Sequence, residues 1–173
     1  MKRNTVILAT LVFLLLPTFA APALAGGGSQ KTDDVGQLPD EASQFDFWIG
    51  KWSVGGATDT VKRYGSGVAI LEKYSPGAGF GYSVNVFDAT DKTWTQTWIG
   101  PNGNYFQVTG SKQGDDIVLV GPFRSPADGK VKTLRLTFAH ITKNSFDQVY
   151  ETSEDGGVTW VPLSTVPFVR IKK

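Results

Sequence analysis

Residues 80–99 read FGYSVNVFDATDKTWTQTWI, and their rhythm decides the fold class. Phe80, Tyr82, Val84 and Val86 alternate with Gly81, Ser83 and Asn85, while Trp94, Gln96 and Trp98 alternate with Thr95 and Thr97. Successive side chains of a pleated strand point to opposite faces, so this two-residue period with β-branched and aromatic residues marks strands. Asp88 to Lys92 supplies the polar turn between them, which makes the pair a hairpin.

The same rhythm extends in both directions. Strand-like runs lie at 52–55, 60–64, 67–74, 79–87, 93–99, 105–111, 116–121, 132–140, 145–152, 159–163 and 168–172. Turn signals separate many of them: Pro76-Gly77, Pro101-Asn102-Gly103, Gln113-Gly114-Asp115, Ala127-Asp128-Gly129 and Asp155-Gly156-Gly157. These residues tolerate positive φ or preset a bend. No segment after residue 50 has the apolar spacing of a helix. About ten short strands with short connections predict an all-β, single antiparallel up-and-down barrel, whose closure removes exposed strand edges.

The N-terminus reads differently. Lys2 and Arg3 precede a mostly apolar run, Val6 to Leu16, then Pro17, and Ala23-Leu24-Ala25 offers the small residues of a cleavage site. This is the pattern of a secretory signal over residues 1–25, which places the mature protein in the periplasm or outside the cell. The apolar run is short for a membrane span, so no integral span is expected after cleavage. Residues 26–43, rich in Gly, Asp, Gln and Ser, read as a flexible leader, and the folded domain is expected over 44–173.

Charge and composition exclude several functions. Without residues 1–25 the formal charge moves from +1 to −1, since Lys2 and Arg3 leave with no acid. A nearly neutral domain lacks the field that a nucleic-acid partner requires. The chain has no cysteine, which removes disulfides, thiolate chemistry and a lipid-modified cysteine. His140 is the one histidine, so a zinc site is not expected. As a haem ligand it would have to face an apolar pocket, and it reads equally as the end of a strand. No nucleophile elbow or phosphate loop is present, and no cofactor is expected.

Four segments sharpen the barrel. They are Phe45-Asp46-Phe47-Trp48-Ile49-Gly50-Lys51-Trp52, Asn85-Val86-Phe87-Asp88, Trp94-Thr95-Gln96-Thr97-Trp98, and Asp147 to Trp160 with Ser153-Glu154-Asp155-Gly156-Gly157-Val158-Thr159-Trp160. Together they resemble a bacterial lipocalin-like, calycin-type family of unknown function. Its members open with Phe-Asp-Phe-Trp-x-Gly-x-Trp and carry Ser-x-Asp-Gly-Gly-x-Thr-Trp near the end. The resemblance spans 45–170; it departs at Tyr74 and Tyr150, where Trp is more usual, and is looser over 166–173. It implies a short 3₁₀ turn before the first strand, with Trp48, Gly50 and Trp52 in structural roles. It also implies that Trp52 plugs one end of the barrel beneath Arg170, a stacking that suits a planar guanidinium. Ser153, Asp155, Gly157, Thr159 and Trp160 also fit an Asp-box hairpin, whose chemistry is local turn capping. The family implies a fold and no settled activity.

Candidate binding residues are the polar and aromatic side chains borne on strands: Glu72, Asn85, Trp94, Gln96, Trp98, Gln148 and Tyr150. A ligand cavity is mostly apolar with a few fixed polar groups, and a barrel of this size has room for a small ligand. The same residues could instead form a hydrogen-bonded network that fills the barrel. Period two does not say which face is inside, so Glu72 reads either as a solvent-facing residue or as an inner carboxyl with a raised pKa. Three functions follow: binding of a small apolar or amphipathic molecule, an enzyme with Glu72 or Glu151 as acid or base, or an envelope protein that interacts through its outer face.

Overall fold

The computed structural model describes residues 38–172. Ten antiparallel strands close into one up-and-down barrel in the order β1-β10-β9-β8-β7-β6-β5-β4-β3-β2. They are β1 (Gly50–Val54), β2 (Ala57–Tyr64), β3 (Ala69–Ser75), β4 (Gly81–Asp88), β5 (Thr93–Ile99), β6 (Tyr105–Gln113), β7 (Asp116–Arg124), β8 (Val131–Ala139), β9 (Ser145–Ser153) and β10 (Val161–Arg170). No helix among the described residues is long and apolar enough to cross a membrane.

Two 3₁₀ turns, Asp40–Ser43 and Asp46–Trp48, precede β1. Packing begins before the expected domain start at Gln44. Ala42 is buried, Leu38 packs on the core, and the Glu41 carbonyl accepts a hydrogen bond from the Trp94 indole at 3.1 Å. The end of the expected leader is therefore part of the folded unit. The secretory pattern at 1–25 lies outside the described residues, as does most of the leader.

The runs at 159–163 and 168–172 prove to be one strand, β10. Proline cannot donate to a ladder. However, β10 meets β1 only at Trp52↔Arg170 and Ser53↔Val169, so Pro162 and Pro167 lie where one flank carries no ladder. A register shift between Pro162 and Ser164 absorbs the rest.

The two ends of the barrel differ. At the end that receives the N-terminal turns, aromatic rings fill the interior. Phe146 stacks on Phe168 at 4.5 Å and meets Trp52 edge-on at 4.9 Å, while Phe45 meets Phe138 at 4.9 Å and Trp94 at 5.1 Å. Edge-to-face and offset contacts at these spacings add to the hydrophobic gain of burying the rings. Arg170 lies 4.1 Å above the Trp52 ring and donates to the carbonyls of Ile49 (2.9 Å), Lys143 (2.7 Å) and Phe47. Gly50 makes this possible: its φ is +142°, and a Cβ there would meet the guanidinium at 2.5 Å.

The other end is organised by an inversion on β4. Gly81, Ser83, Asn85 and Phe87 point inward, whereas Tyr82, Val84 and Val86 are exposed. The reason lies in the neighbours. Register sets Gly81 opposite Tyr74, Ser83 between Glu72 and Trp98, and Asn85 between Ile70 and Gln96. Large inward side chains on β3 and β5 need small ones between them, and β4 supplies these.

Candidate functional site

A cavity of about 280 Å³ occupies the half of the barrel away from the aromatic plug. Its walls are apolar, with Val54, Trp98, Phe106, Phe123, Leu134, Val166 and Phe168. Its polar groups are Glu72, Tyr74, Gln96, Gln148 and Tyr150, joined by Asn104 and Ser164. The Trp98 ring packs across Gly81, where a Cβ would come within 2.3 Å of it, and lies 6.1 Å from Tyr74 and 6.4 Å from Phe106.

The polar wall rests on one hydroxyl. Ser83 Oγ donates to Glu72 Oε2 at 2.5 Å and accepts from Asn85 Nδ2 at 2.9 Å and Gln96 Nε2 at 3.4 Å. Asn85 Nδ2 also reaches the Ile70 carbonyl at 3.3 Å. Across the barrel, Tyr150 donates to Gln148 Oε1 at 2.7 Å. Asn85 Oδ1 and Gln96 Oε1 are buried without a partner.

A second carboxyl stands beside Glu72. Asp59 on β2 faces inward and is 0 % exposed; Glu72 is 4 % exposed. Burial pushes Asp59 up to about 7, although the Trp48 indole and the Thr60 amide turned toward it pull the other way. Neither donor reaches hydrogen-bonding geometry, so both Asp59 oxygens stay without a close partner. Burial pushes Glu72 well above the ordinary carboxylate range, the Asp59 charge adds to this, and the Ser83 hydrogen bond opposes it. Burial also raises the Tyr150 phenol, helped by repulsion from the two carboxylates. Two like charges this far from water disfavour each other's ionisation, so the pair gives up its two protons in separate steps, both above the ordinary carboxylate range.

Of the candidate binding residues, Glu72, Gln96, Trp98, Gln148 and Tyr150 line this cavity. Asn85 and Trp94 do not. Asn85 lies behind the wall on Ser83, and Trp94 belongs to the plug, 5.5 Å from Phe87. Glu151 is on the outer face, where Arg135 holds it at 2.7 Å and itself covers the Trp160 ring at 4.2 Å. His140 is 81 % exposed on its side chain and pairs with Asp147 at 2.8 Å, outside the barrel. Trp48 is buried in the plug, and its carbonyl accepts from the Trp52 indole at 2.8 Å. Asp155 closes the β9–β10 turn, accepting from Ser153 (2.6 Å), Val158 (3.0 Å) and both donors of Thr159, and Trp160 folds back over Gly157.

Asp59 and Ser83 complete the site without any mark in the sequence. Asp59 follows Gly55-Gly56-Ala57-Thr58, where a polar run reads as turn, and Ser83 is one small residue on a face whose direction depends on its neighbours. Among the described residues no three His, Cys, Asp or Glu side chains gather to hold a metal ion. No protein-family model matches the chain, and no curated protein matches it either.

Proposed function

We propose that the chain is a secreted, lipocalin-like binding protein that holds a small apolar or amphipathic molecule inside its barrel. The observation that carries this reading is the cavity itself: about 280 Å³, walled by rings and aliphatic side chains, with a few polar groups on one side. Ligand sites are usually about 300–1,000 Å³ with this lining, so the occupant is small. The sequence resemblance supports the lipocalin-like assignment, and the pattern at residues 1–25 supports secretion.

Native mass spectrometry of protein purified from its own host tests the binding reading. A bound mass is expected on the wild type and is lost from Val166→Phe, which fills the cavity from β10. A wild type that stays empty, including in titrations with small apolar probes, sinks the reading. Secretion is tested separately by N-terminal sequencing, which should find a mature chain starting at Gly26.

A second reading keeps the same cavity and makes Glu72 an acid or base. What favours it is a carboxyl at a cavity wall whose pKa burial and a neighbouring carboxyl both raise, since perturbed groups cluster at reactive sites. Glu72→Gln would then abolish turnover of any substrate found while leaving its binding.

A further inference from the structure

We propose that the occupant of the cavity enters and leaves through the side of the barrel, between β1 and the first half of β10, and that Leu163 and Ser164 form the lip of this port. This deepens the binding reading above and rests on it. The closing ladder is short. β1 ends at Val54 and meets β10 only at Trp52↔Arg170 and Ser53↔Val169, both at the plugged end. From Val161 to Phe168, β10 is held by β9, and among the described residues no strand pairs with its other edge.

Burial locates the opening on this edge. Toward the unplugged end the inward residues of the other strands are covered: Val54, Ala57, Gly81, Phe106 and Leu134 are buried, and the rings from β3, β5, β7 and β9 are half-buried. β10 differs. Every residue from Val161 to Thr165 is exposed, although Leu163 and Ser164 line the cavity, and Leu163 is 56 % exposed. A side chain that lines a cavity and also stands in water marks where the cavity meets water. Asn104, in the β5–β6 turn, is the other exposed lining residue and marks the rival route. It is folded onto its own turn: its carbonyl accepts from the Gly100 amide at 2.7 Å, and its side chain lies so close over Gly100 that a Cβ there would strike it.

Cost points the same way. Passage through the turns displaces half-buried rings such as Trp98, which packs across Gly81 and beside Tyr74. Passage beside β10 breaks no ladder hydrogen bond, because none joins this stretch to β1. Open edges invite a foreign strand, and proline blunts them. Pro162 and Pro167 bracket the lip, and neither can donate, so the edge stays free. The lip itself is apolar, with Val161 and Leu163 exposed on it, which suits an uncharged occupant with an apolar body.

Stopped-flow quenching of tryptophan fluorescence by 4-nitrotoluene tests this, since Trp98 is a cavity wall. The chain has no cysteine, so one introduced thiol can be labelled alone. A barrier on the path scales association and release together and leaves affinity unchanged. Leu163→Cys carrying a maleimide-linked polyethylene glycol is expected to slow both rates ~10-fold or more, with the dissociation constant within ~3-fold of wild type. Leu163→Ala, which trims the lip, should speed both. The same polymer on Asn102→Cys, in the β5–β6 turn, should leave both rates within ~3-fold of wild type. Slowing from Asn102 and not from Leu163, equal slowing from both, or no slowing from either overturns the side port and leaves the binding reading standing. So does a loss of affinity at Leu163 with association unchanged, which would make that residue a wall and not a lip. Absence of any probe binding by the wild type removes both.

Discussion

A methyl group at position 81 would come within 2.3 Å of Trp98 Cη2, so the absence of a side chain at Gly81 fixes where that indole lies and hence one wall of the cavity. Gly81→Val forces the ring away and over-packs the site, which typically costs about 1–3 kcal/mol. The expected result is a folded protein with a lowered unfolding midpoint and no probe binding; binding unchanged from wild type would show that Trp98 is not a wall. The contrast with Val84 is instructive. Val84 has the same side chain and a similar strand context, yet it is exposed on the outer face of β4, and Val84→Thr should move stability by less than about 0.5 kcal/mol. At this scale the sequence makes part of the site legible. Glu72, Gln96, Trp98, Gln148 and Tyr150 stand out because each is polar or amphipathic on a strand, and all five meet at one cavity. Asn85 and Trp94 share that signal and lie elsewhere. A two-residue period separates inside from outside but carries no information about height along the barrel axis. Asp59 and Ser83 escape because a small or turn-like residue becomes part of a site only through what register sets beside it.

Among the elements, the seam between β1 and β10 is the shortest of the ladders, with two paired positions, and Arg170 lies on it. Its guanidinium ties β10 to the carbonyls of Phe47 and Ile49 before β1 and to Lys143 in the β8–β9 connection, while covering Trp52. Lysine has neither the fork nor the planar face, so Arg170→Lys orphans carbonyls and loses the stacking. A loss of about 2–4 kcal/mol is expected in denaturant unfolding, with hydrogen exchange accelerated first in β1 and the preceding turn. Uniform acceleration around the barrel would show that the seam is not its weak point. The alternation of residues 80–99 makes the hairpin of β4 and β5 plain, but the prolines of β10 hide a continuous strand. They are tolerated because the β1–β10 ladder that closes the barrel does not reach them, a property of the whole ring that no local window contains. The direction of β4 is hidden for a related reason. Its apolar face looks like the core face, and only the bulk of Trp98, Tyr74 and Glu72 on the flanking strands turns the small polar face inward.

For the molecule as a whole, two sets of carboxyls act on stability in opposite pH ranges. Asp128 and Asp155 are exposed turn-formers. Hydrogen bonds lower Asp128 to about 2, chiefly from Ser125 and the Lys130 amide, and lower Asp155 further, chiefly from Ser153 and Thr159. Depressed acids contribute stability above their ordinary value, and it is lost as pH falls through their folded values, so this set matters below about pH 4. Asp59 is the reverse case. Its pKa is raised from 3.8 to about 7, so its neutral form is compatible with burial at low pH. Folding then takes up a proton between about pH 4 and 7, and stability falls across that window because Asp59 ionises freely in the unfolded chain while the buried group keeps its proton. The loss is on the order of 4 kcal/mol once Asp59 is fully charged. Glu72, raised for the same first reason, extends the decline to higher pH. The unfolding temperature should accordingly peak near pH 4 and decrease toward pH 8, opposite to what paired surface acids alone would produce. Asp59→Asn should flatten the decline and unfold at a higher temperature than wild type at pH 8. A wild-type Tm that climbs steadily from pH 5 to 8 would mean that the interior carboxyls are hydrated or paired.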